Sequence, residues 1–347
     1  MKIAQICTAH GFGHTTRQLA LAEELQRRGH QVSLFSAATH LLEKEAANIP
    51  WETMISDVGL VQEDSLHIDL EQTALRLKHL CSPSYRAQIA ARLQGFDLAL
   101  VDASPIAMEA AASIHLPVLS ISNFDWAWIY EHYPELTEWA KRFASWQLKH
   151  HALFIPPGPG LFYFKSVTEA GLLCREATPF PLKRKSILVS FGGFGLNDIE
   201  QLLPKIAGVQ WVFAPPNPAP QRNDFNYVEG VMYPDLIAGA DIVFSKAGYG
   251  ICAETARSGN RVLLLERDNF PEARSLEQFV LNRGGIVLPD LRSDPLLFQA
   301  KLREAVLNLL EQPAPSPLGM SGVHKTACLV EELAASKHNL NTSLVQK

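Results

Sequence analysis

The chain has 347 residues, 47% hydrophobic and 19% charged, with a formal net charge of -5. That length buries a large core and suits two domains of ordinary size, while so small a net charge gives no sign of a nucleic-acid footprint or an acidic tail and leaves room only for local basic patches. Five widely spaced cysteines, Cys7, Cys81, Cys174, Cys252 and Cys328, form no C-x-x-C, which argues against a disulfide framework and a structural zinc site.

The opening Lys2-Ile-Ala-Gln-Ile-Cys-Thr8 reads as a buried strand. It lacks the long apolar core of a secretory signal, and no later apolar run approaches a bilayer span. A cytoplasmic protein is therefore expected, with membrane contact at most peripheral. Short apolar runs then alternate with amphipathic stretches: Ile3 to Thr8 before His14 to Arg28, Val32 to Phe35, Leu98 to Val101 before Ile106 to Ile114, and Val118 to Ile121. This is the β–α alternation of a parallel sheet covered on both faces.

The pattern pauses at Ile155-Pro-Pro-Gly-Pro-Gly160, an irregular stretch to about Thr178, and Pro179-Phe-Pro-Leu-Lys-Arg-Lys185, whose prolines and lysines suit a connection. It restarts with Ser186 to Ser190, Leu196 to Leu203, Gln210 to Ala214, Ile242 to Ser245, Val262 to Leu265, Leu276 to Asn282 and Ile286 to Leu288. A helix from Asp294 to Glu311, a break at Pro313 to Pro317 and a last helix near Val323 to Ser336 follow. Two doubly wound α/β domains in series are expected, residues 1–182 and 183–322. A C-terminal helix, 323–337, would pack back on the first domain, ahead of a flexible polar tail, 338–347.

Several loops at strand ends carry chemistry. Ala9-His-Gly-Phe-Gly-His-Thr-Thr-Arg17 delivers His14 to the edge of the sheet where open α/β folds bind ligands. The third glycine of a dinucleotide fingerprint is replaced by Thr16 and no acid closes the second strand at Phe35-Ser36, which disfavours NAD; no Gly-Lys-Ser/Thr follows either glycine loop, which disfavours a phosphate-loop kinase. Phe96-Asp-Leu-Ala-Leu-Val-Asp102 ends a strand at the same edge. Asp102 is placed to orient His14 as a general base without a nucleophilic serine. The alternative makes His14 a polar first-turn residue and Asp102 a helix cap; His10 is the competing base. Asn123, Phe124 and Trp126 open an aromatic run suited to stacking on a sugar or apolar acceptor, or to packing between domains. The basic, aromatic run from Trp139 to His150 suits a snorkelling surface helix or a membrane surface.

In the second domain, Ser190-Phe-Gly-Gly-Phe-Gly195 follows a strand with Gly192 and Gly193, and the amides of Gly193 to Leu196 make an anion cradle there, or the run is simply a tight turn. Ser245-Lys-Ala-Gly-Tyr-Gly-Ile-Cys-Ala-Glu254 is more specific. It sets Lys246 and Ala247 ahead of a helix from Tyr249 to Ser258 closed by Gly259, with Gly248 and Gly250 at its start and Glu254 one turn in. A helix N-terminus and a lysine favour phosphate, and the glutamate accepts from two hydroxyls, so a sugar nucleotide fits this layout better than bare phosphate. Asp268, Asn269 and Glu272 after the next strand are candidates for sugar hydroxyls or loop caps. No Asp-x-Asp occurs, so neither a metal nor any cofactor beyond the nucleotide sugar is expected, and amides plus Lys246 would neutralise a leaving diphosphate.

Over nearly its whole length the chain resembles the GT-B glycosyltransferases, the group of small-molecule UDP-glycosyltransferases and of the N-acetylglucosaminyltransferase of lipid II synthesis. Gly11-Phe-Gly-His14, the strand ending at Asp102 with Pro105 and Asn123-Phe124, and the Gly248 to Glu254 spacing ahead of Gly259 carry the likeness. Gly-Phe-Gly-His-Thr-Thr-Arg17, Lys246 to Glu254 and Arg267-Asp-Asn-Phe270 are most similar to the glycosyltransferase-like N-terminal region of arabinokinases, whose sugar-kinase portion is absent here. The resemblance implies two Rossmann-like domains facing across a cleft, the first for an acceptor and the second for a nucleotide sugar. It implies His14 as base, Asp102 as its partner, Glu254 on the ribose, Gly193 and the amides after Gly248 on the diphosphate, and Tyr233-Pro-Asp235 by the nucleotide base, with Gly13, Met232, Tyr249 and Gly250 also in the nucleotide-sugar site. The donor motif departs from many relatives in having Lys246 for histidine and Gly250-Ile251 for an Asn-Ser pair; Glu272 is the nearest match to their sugar-binding acid. The implied activity is metal-independent, inverting transfer of a hexosyl or N-acetylhexosaminyl group from a nucleotide sugar, UDP in the first instance, to a small-molecule or lipid-linked hydroxyl. A non-catalytic sugar-nucleotide sensor or scaffold, and a UDP-sugar epimerase, are the alternatives.

Overall fold

The structure, a computed structural model, describes every residue except 9, 11, 47, 63–67, 183–184, 192–198, 216, 218, 221, 223, 268–269, 320–321 and 346–347, and the side chains of 12 and 336–345. The chain divides into two compact units. One comprises Met1–Val61, Asp69–Cys174 and Gly322–Lys347, the other Gln62–Ile68 and Arg175–Ser321. Lys183, near which the sequence suggests a boundary, lies outside the described residues.

The chain order of strands begins β1 (Lys2–Cys7), β2 (Gln31–Ser36), β3 (Trp51–Thr53), then a separate short pair, β4 (Val61–Gln62) and β5 (Ile68–Asp69), at the two ends of the segment Gln62–Ile68; the first unit continues with β6 (Leu98–Asp102), β7 (Val118–Ser122), β8 (His151–Phe154) and β9 (Ser166–Glu169). Its seven-stranded sheet runs β3-β2-β1-β6-β7-β8-β9, parallel throughout. Ile3, Ala4, Ile6 and Cys7 are wholly buried because helices cover both faces, which is why the strand shows no polar alternation. The one polar interruption, Gln5, donates its amide to the Gln18 carbonyl at 2.9 Å.

Helix starts follow cap chemistry. Ser82 and Ser104 accept from the backbone N–H three residues on, each with proline at the first helical position, in Pro83–Arg92 and Pro105–Ser113. The helix Thr137–Gln147 buries Phe143 and Trp146 and lays Arg142 over Trp139 and Trp146; its basic and aromatic residues thus pack on one another. The C-terminal helix, Val323–Val345, extends past the expected Ser336 because no glycine or proline interrupts it. It packs on the helix Phe12–Arg27 by burying Thr326, Ala327 and Val330, and Glu331 pairs with Arg28 and His30. Among the described residues no helix is long and apolar enough to cross a membrane.

The second unit carries β10 (Lys185–Ser190), β11 (Val209–Phe213), β12 (Phe225–Tyr227), β13 (Ile242–Lys246), β14 (Arg261–Leu265) and β15 (Ile286–Leu288), in the parallel order β12-β11-β10-β13-β14-β15. Side chains alternate across it. Ile187, Val189, Trp211, Phe213, Ile242 and Phe244 pack under the helix Pro295–Glu311, while Leu188, Val212 and Val243 pack on Leu236 and Ile237 of the helix Tyr233–Gly239. Of the expected helix at Leu196 to Leu203, Ile199–Leu202 is described as helical. Gly259 closes the helix Tyr249–Ser258 at φ 77°, a conformation costly for other residues, and a Cβ there would meet the Pro315 carbonyl oxygen at 2.7 Å.

Candidate functional site

β1 and β6 lie side by side in parallel with Cys7 opposite Asp102, so both chains leave the sheet at one edge. After β1 the helix Phe12–Arg27 begins, with Gly13 and His14 in its first turn. After β6 the chain turns sharply: Ala103 adopts φ 53°, a left-handed conformation that costs about 1 kcal/mol, and Ser104 then caps the next helix. The two loops bring His14 Nδ1 to 2.9 Å from Asp102 Oδ1. Both side chains are buried, and the Phe124 ring meets the imidazole edge-on at 5.5 Å.

Asp102 has a second partner. Arg17 donates from Nε to Oδ2 at 2.8 Å and from Nη2 to Oδ1 at 2.6 Å, and Gln18 adds a bond to Oδ2 at 2.9 Å. Burial alone would raise this carboxyl, but the Arg17 charge and His14 outweigh it and hold it down at about 2. Asn123, fully buried, accepts from Arg17 Nη1 at 2.8 Å, and Trp126, also fully buried, donates Nε1 to Asp57 at 3.1 Å. Phe124 and Trp126 stand edge to face, centroids 5.0 Å apart, and His10 meets Trp126 likewise at 5.1 Å. The three aromatic-run candidates thus form a packed wall around the His14–Asp102 pair. Asp57 is pushed up to about 7, chiefly by burial, with Asp102 adding to the effect. Its apolar setting, Met54-Ile-Ser-Asp-Val-Gly-Leu60, was the available sequence signal for it.

In the second unit Lys246 ends β13 and Gly248, which has no side chain to cap with, is the N-cap of the helix Tyr249–Ser258. Gly248 has φ -156°, extended backbone open to any residue. Among the described residues an added Cβ would meet nothing within 4 Å. Neither strain nor packing among the described residues calls for glycine there. Tyr249 is buried and Gly250 half-buried. Buried Glu254 accepts from Arg175 Nε at 3.1 Å and Nη2 at 2.9 Å on Oε1, a pairing that sequence spacing did not suggest. Tyr233 hydrogen-bonds Ser190 at the end of β10, and burial together with the Glu254 charge pushes its phenol up to about 12. Met232 precedes it, 49% exposed. Glu272 is buried at the start of the helix Ala273–Leu281 and, after burial itself, is the main influence raising the Cys252 thiol to about 12. Gly192, Gly193, Asp268 and Asn269 lie outside the described residues.

The fold that carries these residues is found in solved glycosyltransferases. The chain superposes on the glycotransferase of kitacinnamycin with a TM-score of 0.65 at 19% identity, covering 96% of this chain and 95% of that one. It superposes on spinosyn rhamnosyltransferase SpnG complexed with thymidine diphosphate at 0.59 and 14% identity, covering 97% and 96%. The fold is that of the GT-B glycosyltransferases. In sequence the chain is 26% identical to the L-arabinokinase of Arabidopsis thaliana over 96% of its own length and 34% of that protein, so it spans about a third of that relative. No family model matches the chain.

Proposed function

We propose that the chain is a cytoplasmic, metal-independent inverting glycosyltransferase that moves a hexosyl or N-acetylhexosaminyl group from a UDP-sugar to the hydroxyl of a small-molecule or lipid-linked acceptor. The observation that carries the proposal is the buried His14–Asp102 contact of 2.9 Å at the ligand-binding edge of a GT-B sheet. With Nδ1 donating to Asp102, Nε2 is left to take the proton of the acceptor hydroxyl. The acceptor oxygen then bonds to the anomeric carbon as the bond from that carbon to the diphosphate oxygen breaks, and UDP leaves with the electron pair. A single displacement inverts the configuration. Lys246 and the helix start at Gly248 offset the charge developing on the diphosphate, and Glu254 holds the ribose hydroxyls after exchanging part of its bond to Arg175. Thymidine diphosphate and an aglycone occupy the rhamnosyltransferase structures, which supports a nucleotide sugar and a small-molecule acceptor here.

A second reading, a subunit that binds nucleotide sugar without turning it over, draws on the likeness to L-arabinokinase, a protein named for another activity. Calorimetric titration with UDP, thymidine diphosphate, ADP and GDP tests the shared half of both. Saturable binding of one nucleoside diphosphate, weakened by Glu254→Gln, is expected. No binding of any of them refutes both readings.

A further inference from the structure

Arg17 is 1% exposed and commits its guanidinium to the neighbourhood of the base. It grips both oxygens of Asp102, donates to Asn123, and sets Nη2 2.8 Å from His14 Nδ1. Together Asp102 and Arg17 form a neutral pair. An imidazolium at His14 would therefore stand beside a guanidinium with no net negative charge to offset it, in a buried place that already disfavours charge.

Asp102 Oδ1 lies within 2.9 Å of both Nδ1 and Nη2. Nη2 can only donate, and it stands 2.8 Å from Nδ1. A second proton on the ring would therefore be added beside a cation that cannot accept from it. Of the other groups around the pair, Asp57 from the segment Met54 to Leu60 is raised towards neutrality by burial and by Asp102; from the loop after β1, His10 packs on Trp126; from the loop after β7, Asn123 and Phe124 are uncharged. Cys7 lies behind Asp102 with its thiol pushed up to about 12, largely by burial.

We propose that Arg17 is a positioning residue that neutralises Asp102 and keeps the His14 ring uncharged below the usual histidine range. The inference assigns a role in the transfer reaction proposed above and so rests on that reading, but its test needs no turnover. Ring 15N shifts of His14, identified by their loss in His14→Gln, are followed through a pH titration of the full chain. The wild-type midpoint is expected below about 6.5, the ordinary value. Arg17→Gln is expected to raise it by about 1–3 pH units, and Arg17→Lys, which keeps the charge, to hold it close to wild type. A wild-type midpoint above about 6.5, or one that Arg17→Gln leaves unchanged or lowers, overturns the proposal. Should Arg17→Gln fail to fold, the wild-type midpoint and Arg17→Lys decide. If transfer is measurable, the acid limb of kcat/KM moves with the midpoint. If the midpoints behave as expected and no transfer occurs, the electrostatic role stands and the transferase reading fails.

Discussion

Replacing Asp57 by Asn is expected to stabilise the first unit at pH 8 and to leave it almost unchanged at pH 4. The carboxyl is buried against Trp126 and Thr8 and rises from 3.8 to about 7. Between those two values the folded chain holds a proton that the unfolded chain has released, so stability falls as pH rises from about 4 to 7 and is level above that. About three pH units at 1.36 kcal/mol each make a penalty of at most about 4 kcal/mol at pH 8. Asn keeps an oxygen for Trp126 Nε1 and carries no charge, so it removes the penalty. Local relaxation brings the expected gain to about 1–4 kcal/mol. The opposite sign applies to Asp102, whose contribution is present above 3.8 and is lost as pH falls through about 2. Urea denaturation of both proteins at half-unit steps from pH 4 to 8, followed by tryptophan fluorescence, reads the difference. A difference that does not change across that range, or an Asp57→Asn chain less stable than wild type at pH 8, would refute the reasoning.

Gly248→Ala is expected to fold with a midpoint within about 0.5 kcal/mol of wild type, because its Cβ meets nothing among the described residues, and yet to bind UDP at least ten-fold more weakly by calorimetry; equal affinity would remove Gly248 from the phosphate site. Glu254→Ala and Arg175→Ala each strip a buried charge of its partner, at an expected cost of about 3–5 kcal/mol. The double variant should melt closer to wild type than either single one, and additive losses would show the pair to be energetically independent. Val330→Ala should destabilise by about 1–3 kcal/mol, since Val330 is wholly buried on the last helix, which packs on the helix Phe12–Arg27; an unchanged urea midpoint would mean that this contact contributes nothing to stability.

Much of the scaffold is legible in the sequence because the signals are local. The helix expected from Tyr249 to Ser258 occupies those residues, since glycines at both ends and a buried strand before it mark its limits. Ile286 to Leu288 is likewise a strand as expected. β9 was hidden inside the stretch that reads as irregular, because all four of its residues are exposed and carry no alternation. His14 and Asp102 are legible as strand-end residues, but what surrounds them is not. Arg17 reaches Asp102 across 85 positions, Trp126 reaches Asp57 across 69, and Arg175 reaches Glu254 across 79; a pattern read along the chain has no access to such pairs. Arg17 left a trace, since three residues after His14 on a helix place it on the same face, yet only the folded sheet shows that both side chains share one carboxylate.

Sugar transfer itself is tested most directly by incubating the purified chain with UDP-sugars and a panel of hydroxyl acceptors and following the anomeric proton by NMR. The account predicts a glycoside of inverted configuration formed with wild type, together with a loss of about 10²–10⁴-fold in rate for His14→Ala at unchanged UDP affinity. A glycoside of retained configuration, an equal rate in His14→Ala, or bound UDP-sugar that persists intact with every acceptor would contradict it.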